Sequence, residues 1–177
     1  MRGHDPMTVV ELMEKMRGSD ATVRMEAAHR AGPVGAAAVG PLAELLAGDR
    51  GVAKAADEAL RRIVHHSARP GARSEARAVA EALLAQMRGD RPEKTRTAAI
   101  RLLEFVGSDE STAALGRLLG DPKWREDARL TVERIPGRAA SRALETALKG
   151  APAEYRPAIE ASIRHRKATA KSIGTKG

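Results

Sequence analysis

The sequence contains no cysteine, and this absence excludes several kinds of chemistry at once. Without a thiol there is no disulfide framework, no thiolate nucleophile and no zinc or iron–sulfur site with cysteine ligands. Aromatic residues are also scarce, with one Phe, one Trp and one Tyr among 177 residues. A core built from small aliphatic side chains must pack closely, and this composition favours helix-on-helix packing over a β-sandwich.

Long apolar runs are lacking as well. No stretch of roughly 18 uncharged apolar residues occurs, and residues 1–7 lack the apolar centre of a signal peptide. From the sequence we therefore expect a soluble, cytoplasmic protein with no membrane contact.

The net charge of +8 is concentrated near the C-terminus. Residues 1–160 carry 26 Lys and Arg beside all 23 acidic residues, which leaves a net charge of +3, and residues 161–177 carry the remaining +5. The body therefore has the mixed-charge surface that is typical of a solvated helical protein. Residues 169–177 combine small polar residues with lysines and have no apolar period, so we expect a basic disordered tail there.

The segment 19–32 contains a helix start, a helix and a stop, and the rest of the chain varies this pattern. Asp20 is placed to cap the helix, and a glycine followed by a proline ends it. The spacing of Val23, Ala27 and Ala31 predicts one apolar stripe on this helix. A preceding helix over residues 8–17, opened by a capping-box sequence, would complete an αα-hairpin.

Four further copies of this hairpin follow. Aspartates at intervals of 29, 41 and 31 residues mark the breaks between paired helices, at Asp20, Asp49, Asp90 and Asp121. A small residue recurs on the second helices, at Ala27, Ala56, Ala99 and Ala128. A unit of about 30 residues cannot bury its apolar stripe alone, so we expect neighbouring hairpins to stack into an α-solenoid. After an extension over residues 1–7, the predicted domain covers residues 8–168, in units 8–32, 36–66, 74–106, 109–135 and 138–168.

Residues 20–28 and 121–128 resemble the second half of a HEAT repeat, whose core reads roughly Asp-Pro-x-Val-Arg-x-x-Ala-x-x-Ala-Leu. The resemblance extends over residues 8–168 and includes small bacterial forms similar to those of phycobilin lyases. It implies an all-α fold, a right-handed superhelix of about five stacked hairpins whose second helices line the concave side. The basic position after the Val slot is filled by Arg24, Arg96, Arg125 and Arg156, for which we expect a break aspartate or a helix-end carbonyl as partner.

Candidate catalytic groups are few. His65 and His66 are adjacent, so their imidazoles point in different directions on a helix, and no carboxylate at a helical offset completes a metal site. The pairs Asp57–Glu58 and Glu126–Asp127 are expected to be exposed. We therefore predict no catalytic residue, no cofactor and no metal. Bilin-lyase-like and DNA-glycosylase-like activities remain as enzymatic alternatives, although Trp124, the only tryptophan, is expected to be buried.

The function that the sequence favours is a non-enzymatic scaffold that presents a concave helical groove to a protein partner. Several arginines lie off the apolar stripe of the second helices or near the C-terminus. These predicted partner-binding residues are Arg61, Arg62, Arg101, Arg129, Arg134, Arg164 and Arg166. Glutamates are interleaved with them, which argues against a uniform nucleic-acid stripe. Binding of a nucleic-acid backbone through these arginines and the basic tail remains the alternative.

Overall fold

The computed structural model describes residues 7–174, with side chains described as far as residue 170. Within this range the chain forms ten α-helices, two short 3-10 helices and no strand, as predicted. No helix in the described range is long and apolar enough to cross a membrane. The α-helices are α1 (Val9–Arg17), α2 (Ala21–His29), α3 (Val39–Leu45), α4 (Arg50–Ser67), α5 (Arg73–Gln86), α6 (Glu93–Val106), α7 (Asp109–Leu118), α8 (Arg125–Arg134), α9 (Arg138–Gly150) and α10 (Arg156–Gly174).

Consecutive helices pack in five pairs, α1 with α2 through to α9 with α10, and each pair corresponds to one predicted hairpin. The sequence predicts one continuous domain, whereas the helices of the structure pack into two compact units. Unit 1 ends at Val106 and unit 2 begins at Gly107. Helix α10 continues to Gly174, past residue 169 where the tail is predicted to begin, and residues 175–177 lie outside the described range.

Helix α4 is the centre of unit 1. It packs against α2, α3, α5, α6 and the first 3-10 helix, Gly32–Val34. The second helices α2 and α6 lie on either side of it, while the first helices α3 and α5 pack against each other. Ala55, Ala56 and Ala59 are buried on α4, and their small side chains allow neighbouring helix backbones to approach closely.

Unit 2 contains the four helices α7 to α10. The first helices α7 and α9 pack against each other, the second helices α8 and α10 do the same, and α8 also contacts α9. Leu115, Ile135, Leu144 and Ile159 are fully buried between them. Trp124, directly before α8, is only 3% exposed, which confirms the prediction that it is buried.

Helix starts follow the predicted capping chemistry at three positions. Thr8 and Glu11 form a reciprocal capping box at the start of α1. The carboxylates of Asp20 and Asp49 accept hydrogen bonds from backbone amides in the first turns of α2 and α4. Each bond satisfies a donor that has no partner inside the helix, which is typically worth about 1 kcal/mol.

The other two break aspartates lie between paired helices, as predicted, but neither caps a helix. Asp90 lies in a turn, and α6 begins only at Glu93. The carboxylate of Asp121 accepts from the backbone amide of Lys123, and the Asp121 carbonyl accepts from the amide of Arg125, so these groups close a turn. Helix α8 consequently begins four residues later than the aspartate, at Arg125.

The four recurring alanines of the second helices are buried, with exposures of 3% or less, as predicted. The predicted apolar stripe on α2 is nevertheless wrong at its first position. Val23 is 40% exposed, and the side chain of Arg24 is buried instead. Arginine tolerates this position because its aliphatic stem packs against the core while its guanidinium donates to the carbonyl of Gly18.

The same bond recurs in two further hairpins. Arg96 Nε lies 3.1 Å from the carbonyl oxygen of Met87, and Arg156 Nε lies 3.1 Å from that of Ala151. Gly18, Met87 and Ala151 each follow the last residue of the first helix in their hairpin. A cation at this place satisfies an otherwise unpaired carbonyl and opposes the negative end of the helix dipole. The predicted helix-end contact is therefore confirmed for Arg24, Arg96 and Arg156.

Candidate functional site

The exposed side of helices α4 and α6 in unit 1 carries three of the predicted arginines, and we call it the α4–α6 face. Arg61, Arg62, His65, Arg101 and Phe105 are its exposed members. Arg61 and Arg62 are exposed on the last two turns of α4, and as adjacent residues they point to different sides of the helix. Arg61 lies towards α6, where the charge of Glu104 acts on it. Arg62 lies towards α2, because its partner Glu58 is also 3.8 Å from His29 Nε2.

Arg61 and Arg62 each pair with a carboxylate one turn earlier on α4. Arg61 Nε lies 2.9 Å from Asp57 Oδ2, and Arg62 Nε lies 2.6 Å from Glu58 Oε1. Pairs at this i,i+4 spacing stabilise an exposed helix by a few tenths of a kcal/mol. The hydrogen bond that Arg61 donates to Asp57, together with the charges of Asp57, Glu58 and Glu104, raises the pKa of Arg61 despite partial burial. The face therefore presents both signs of charge in fixed positions.

An aromatic contact lies among these charges. The rings of His65 and Phe105 meet with centroids 4.6 Å apart and planes inclined by 55°, which joins α4 to α6. Phe105 is 40% exposed although it is the only phenylalanine in the chain. Sequence reasoning missed this pair. The available signal was that Phe105 falls between Leu103 and Val106, which are both buried on α6, and so points away from the core.

In unit 2 the predicted groove residue Arg129 is buried, which corrects its assignment to an exposed surface. Only 8% of it is exposed. Its Nη2 lies 2.5 Å from Glu126 Oε1, and its Nη1 lies 2.5 Å from Ser162 Oγ and 3.5 Å from Glu133 Oε2. Because Ser162 also donates to Glu133, the guanidinium joins α8 to α10 through a network of polar groups.

Tyr155 closes this network on the other side. Its hydroxyl lies 3.0 Å from Glu126 Oε2 and 3.0 Å from the Arg125 carbonyl oxygen, and the Arg125 guanidinium lies 4.2 Å from the ring centroid. Burial, followed by the bond to Glu126, raises the pKa of Tyr155 to about 12. Hydrogen bonds from Arg129 lower the pKa of Glu126. These interactions keep Tyr155 protonated and Glu126 ionised near neutral pH. They also join α8 to Tyr155 and α10.

Arg166 also has an internal role, which corrects its assignment to partner binding. Its guanidinium donates to the carbonyls of Val132, Glu133 and Ile135 at 3.1, 2.8 and 2.6 Å, and to that of Gly137 at 2.7 Å. It therefore caps the C-terminal end of α8, and burial lowers its pKa. The other predicted residues of unit 2, Arg134 and Arg164, are exposed.

The two adjacent histidines separate, as their helical positions predict. His65 contacts Phe105, whereas His66 Nε2 lies 3.8 Å from Glu75 Oε2. Among the described residues, no group of three His, Asp or Glu side chains is placed to hold a metal ion.

Comparison with protein-family models and with curated proteins finds no match for this chain. Among solved structures the chain is similar to a crystal structure of an engineered protein from the Northeast Structural Genomics Consortium. The two share 20% sequence identity and a TM-score of 0.46, over 90% of this chain and 79% of that chain. At this TM-score the similarity assigns neither a family nor a function.

Proposed function

We propose that the chain is a non-enzymatic, HEAT-like repeat scaffold that binds a protein partner on the α4–α6 face. The observation that carries the proposal is the exposed contact between Phe105 and His65, surrounded by charged side chains of both signs. Aromatic residues and arginines are enriched among the residues that dominate protein interfaces, while paired surface charges give a partner register and orientation.

The packing within each unit supports the repeat assignment. In unit 1 each second helix packs against the next, α2 on α4 and α4 on α6, and in unit 2 α8 packs on α10. Contacts between equivalent helices of successive hairpins are what a stacked solenoid requires. The recurrence of an arginine on a helix-end carbonyl in three hairpins adds a sequence-specific element to this pattern.

Several of the predicted arginines already have partners within the chain, which weakens the nucleic-acid alternative. Carboxylates engage Arg61 and Arg62, and internal contacts occupy Arg129 and Arg166. Carboxylates on the same face repel a phosphate backbone. The cations that support this alternative are the exposed Arg164 and Lys167, together with lysines beyond residue 170.

Affinity capture from cells that naturally produce the protein, with nuclease treatment, tests the proposal. We expect a defined partner that survives nuclease and is lost when Phe105→Ala is combined with Arg61→Glu. Leu130→Ala is the matched control, since Leu130 is 37% exposed and lies in unit 2. Loss of the partner after nuclease treatment would favour the alternative.

Truncation supplies a second arm of this test. The chain should end after residue 170, because a truncation that reached residue 166 would also remove the cap that Arg166 provides to α8. A scaffold that uses the α4–α6 face keeps its partner in this truncated form. Loss of the partner by truncation, with retention in the Phe105→Ala and Arg61→Glu variant, would refute the proposal.

A further inference from the structure

Helices α7 and α9 of unit 2 enclose an open cavity of about 540 Å³, which we call the α7–α9 trough. The helices run in parallel, because Asp109 lies next to Gly137 while Gly116, further along α7, lies next to Ala143 of α9. A Cβ placed on Gly116 would lie 3.8 Å from the Cβ of Ala143. Small residues such as Gly116 and Ala143 therefore form the floor of the trough, which runs along the two parallel helices.

A buried hydroxyl in this trough has no partner. Thr112 is 2% exposed, and its Oγ1 makes no hydrogen bond among the described residues. It is also one of the side chains that line the trough. The Oγ1 atom itself is closed off from solvent, and Ser111 beside it on α7 has the same kind of buried hydroxyl, so a bound molecule is positioned by the floor and the rim rather than by this group.

The rim of the trough is cationic. Arg117 of α7 and Arg142 of α9 line it and make no ion pair within the described part of the chain, and Arg125 lies at its end. Asp109 is the single carboxylate among the described lining residues. This differs from the α4–α6 face, where neighbouring carboxylates engage Arg61 and Arg62. Arg117 and Arg142 are therefore available to pair with an anionic ligand.

We propose that the α7–α9 trough binds an acidic amphipathic helix of a partner protein. Its apolar side chains would pack on the floor of Ala and Gly residues, and its carboxylates would reach Arg117 and Arg142. The small floor residues let a third helix approach two parallel ones, and α7 provides about three turns of contact. The chain's own C-terminal lysines have the same sign as the rim, so they do not complement it. The inference is independent of the α4–α6 face and goes beyond the proposed function.

Two labelled synthetic helices test the charge requirement, measured by fluorescence anisotropy with the full chain. One has Leu at every third or fourth position and Glu on both flanks, and its twin has Lys in place of every Glu. We expect the Glu helix to bind at least about tenfold more tightly, with an affinity that falls as salt is raised. Equal binding of the two helices would overturn the proposal.

Variants test the location. Arg117→Glu combined with Arg142→Glu should weaken binding of the Glu helix at least about tenfold, because the rim then repels it. Arg138→Glu is the matched control, since it reverses a charge on the same helix α9 at a residue that does not line the trough. Unchanged affinity in the double variant would place the site elsewhere and refute the inference.

A further measurement tests the chemistry of the bound molecule. Decanoate tests for a small carboxylate ligand in place of a helix. Binding of decanoate with no binding of either helix would overturn the helix assignment. Failure of the α4–α6 variants in cells would leave these results unaffected.

Discussion

Removal of a single oxygen, Tyr155→Phe, tests the polar network of unit 2. The hydroxyl donates its proton to Glu126 or to the carbonyl of Arg125, both 3.0 Å away. Hydrogen bonds to charged groups contribute roughly 1.5–3 kcal/mol, and half-exposed Glu126 keeps its bonds to Arg129 in the variant. We therefore expect a loss of about 1–2 kcal/mol in the free energy of unfolding of unit 2 near neutral pH.

The pH dependence sharpens this expectation. Tyr155 holds its proton more tightly in the folded protein, with a pKa of about 12 against 10.0 without the fold. A raised pKa contributes stability that is fully present below about pH 10 and is lost as the pH rises through about 12. One pH unit above the unfolded-state pKa, the wild type should have lost about 1.4 kcal/mol relative to Tyr155→Phe. The difference between the two proteins should therefore shrink, and then reverse.

Urea denaturation followed by the emission of Trp124 measures this difference. Trp124 is the only tryptophan, belongs to unit 2 and is buried, so its native emission should be blue-shifted until the unit unfolds. Lysines also titrate in this range, but they do so in both proteins and cancel in the comparison. Parallel stability curves for the two proteins from about pH 8 to about pH 11 would refute the role assigned to the Tyr155 hydroxyl.

Two substitutions of small residues test the packing. Ala99→Leu on α6 should cost roughly 1–3 kcal/mol in chemical denaturation, because Ala99 is 2% exposed and has no space for three more carbons; a neutral result would contradict the close helix contact. Gly116→Ala should raise the melting temperature of unit 2, with a gain of about 0.5–1 kcal/mol, since the added methyl meets Ala143 at an ordinary contact distance of 3.8 Å. A lowered melting temperature would mean that α7 and α9 lie closer than described.

Local signals in the sequence predicted much of the secondary structure. The capping box at Thr8 and the aspartate caps at Asp20 and Asp49 depend on residues within one turn, and all three are present. Asp90 and Asp121 have the same residue type but close turns instead, because the following backbone does not become helical at once. An aspartate therefore indicates a break more reliably than it indicates the first residue of a helix.

Long-range contacts account for most of the differences at the candidate site. Arg129 and Arg166 lie off the apolar stripe, so the helical period predicts them to be exposed. Their partners, Ser162 on α10 and the last carbonyls of α8, lie about 30 residues away in sequence. The position of an arginine in the helical period therefore cannot distinguish a surface arginine from one that joins two helices. The α7–α9 trough was missed for a related reason, since Ala and Gly at helical spacing also occur in close-packed cores.

The arginines on helix-end carbonyls also bear on the order in which the chain folds. The bonds of Arg24, Arg96 and Arg156 connect groups only five to nine residues apart, and each lies inside its own hairpin. Loops of this length close among the fastest steps of folding, and local contacts favour rapid folding overall. Such a hairpin can set its own turn before a neighbour is present. Whole hairpins could therefore be gained or lost by the chain without disturbing the bond that closes each remaining one.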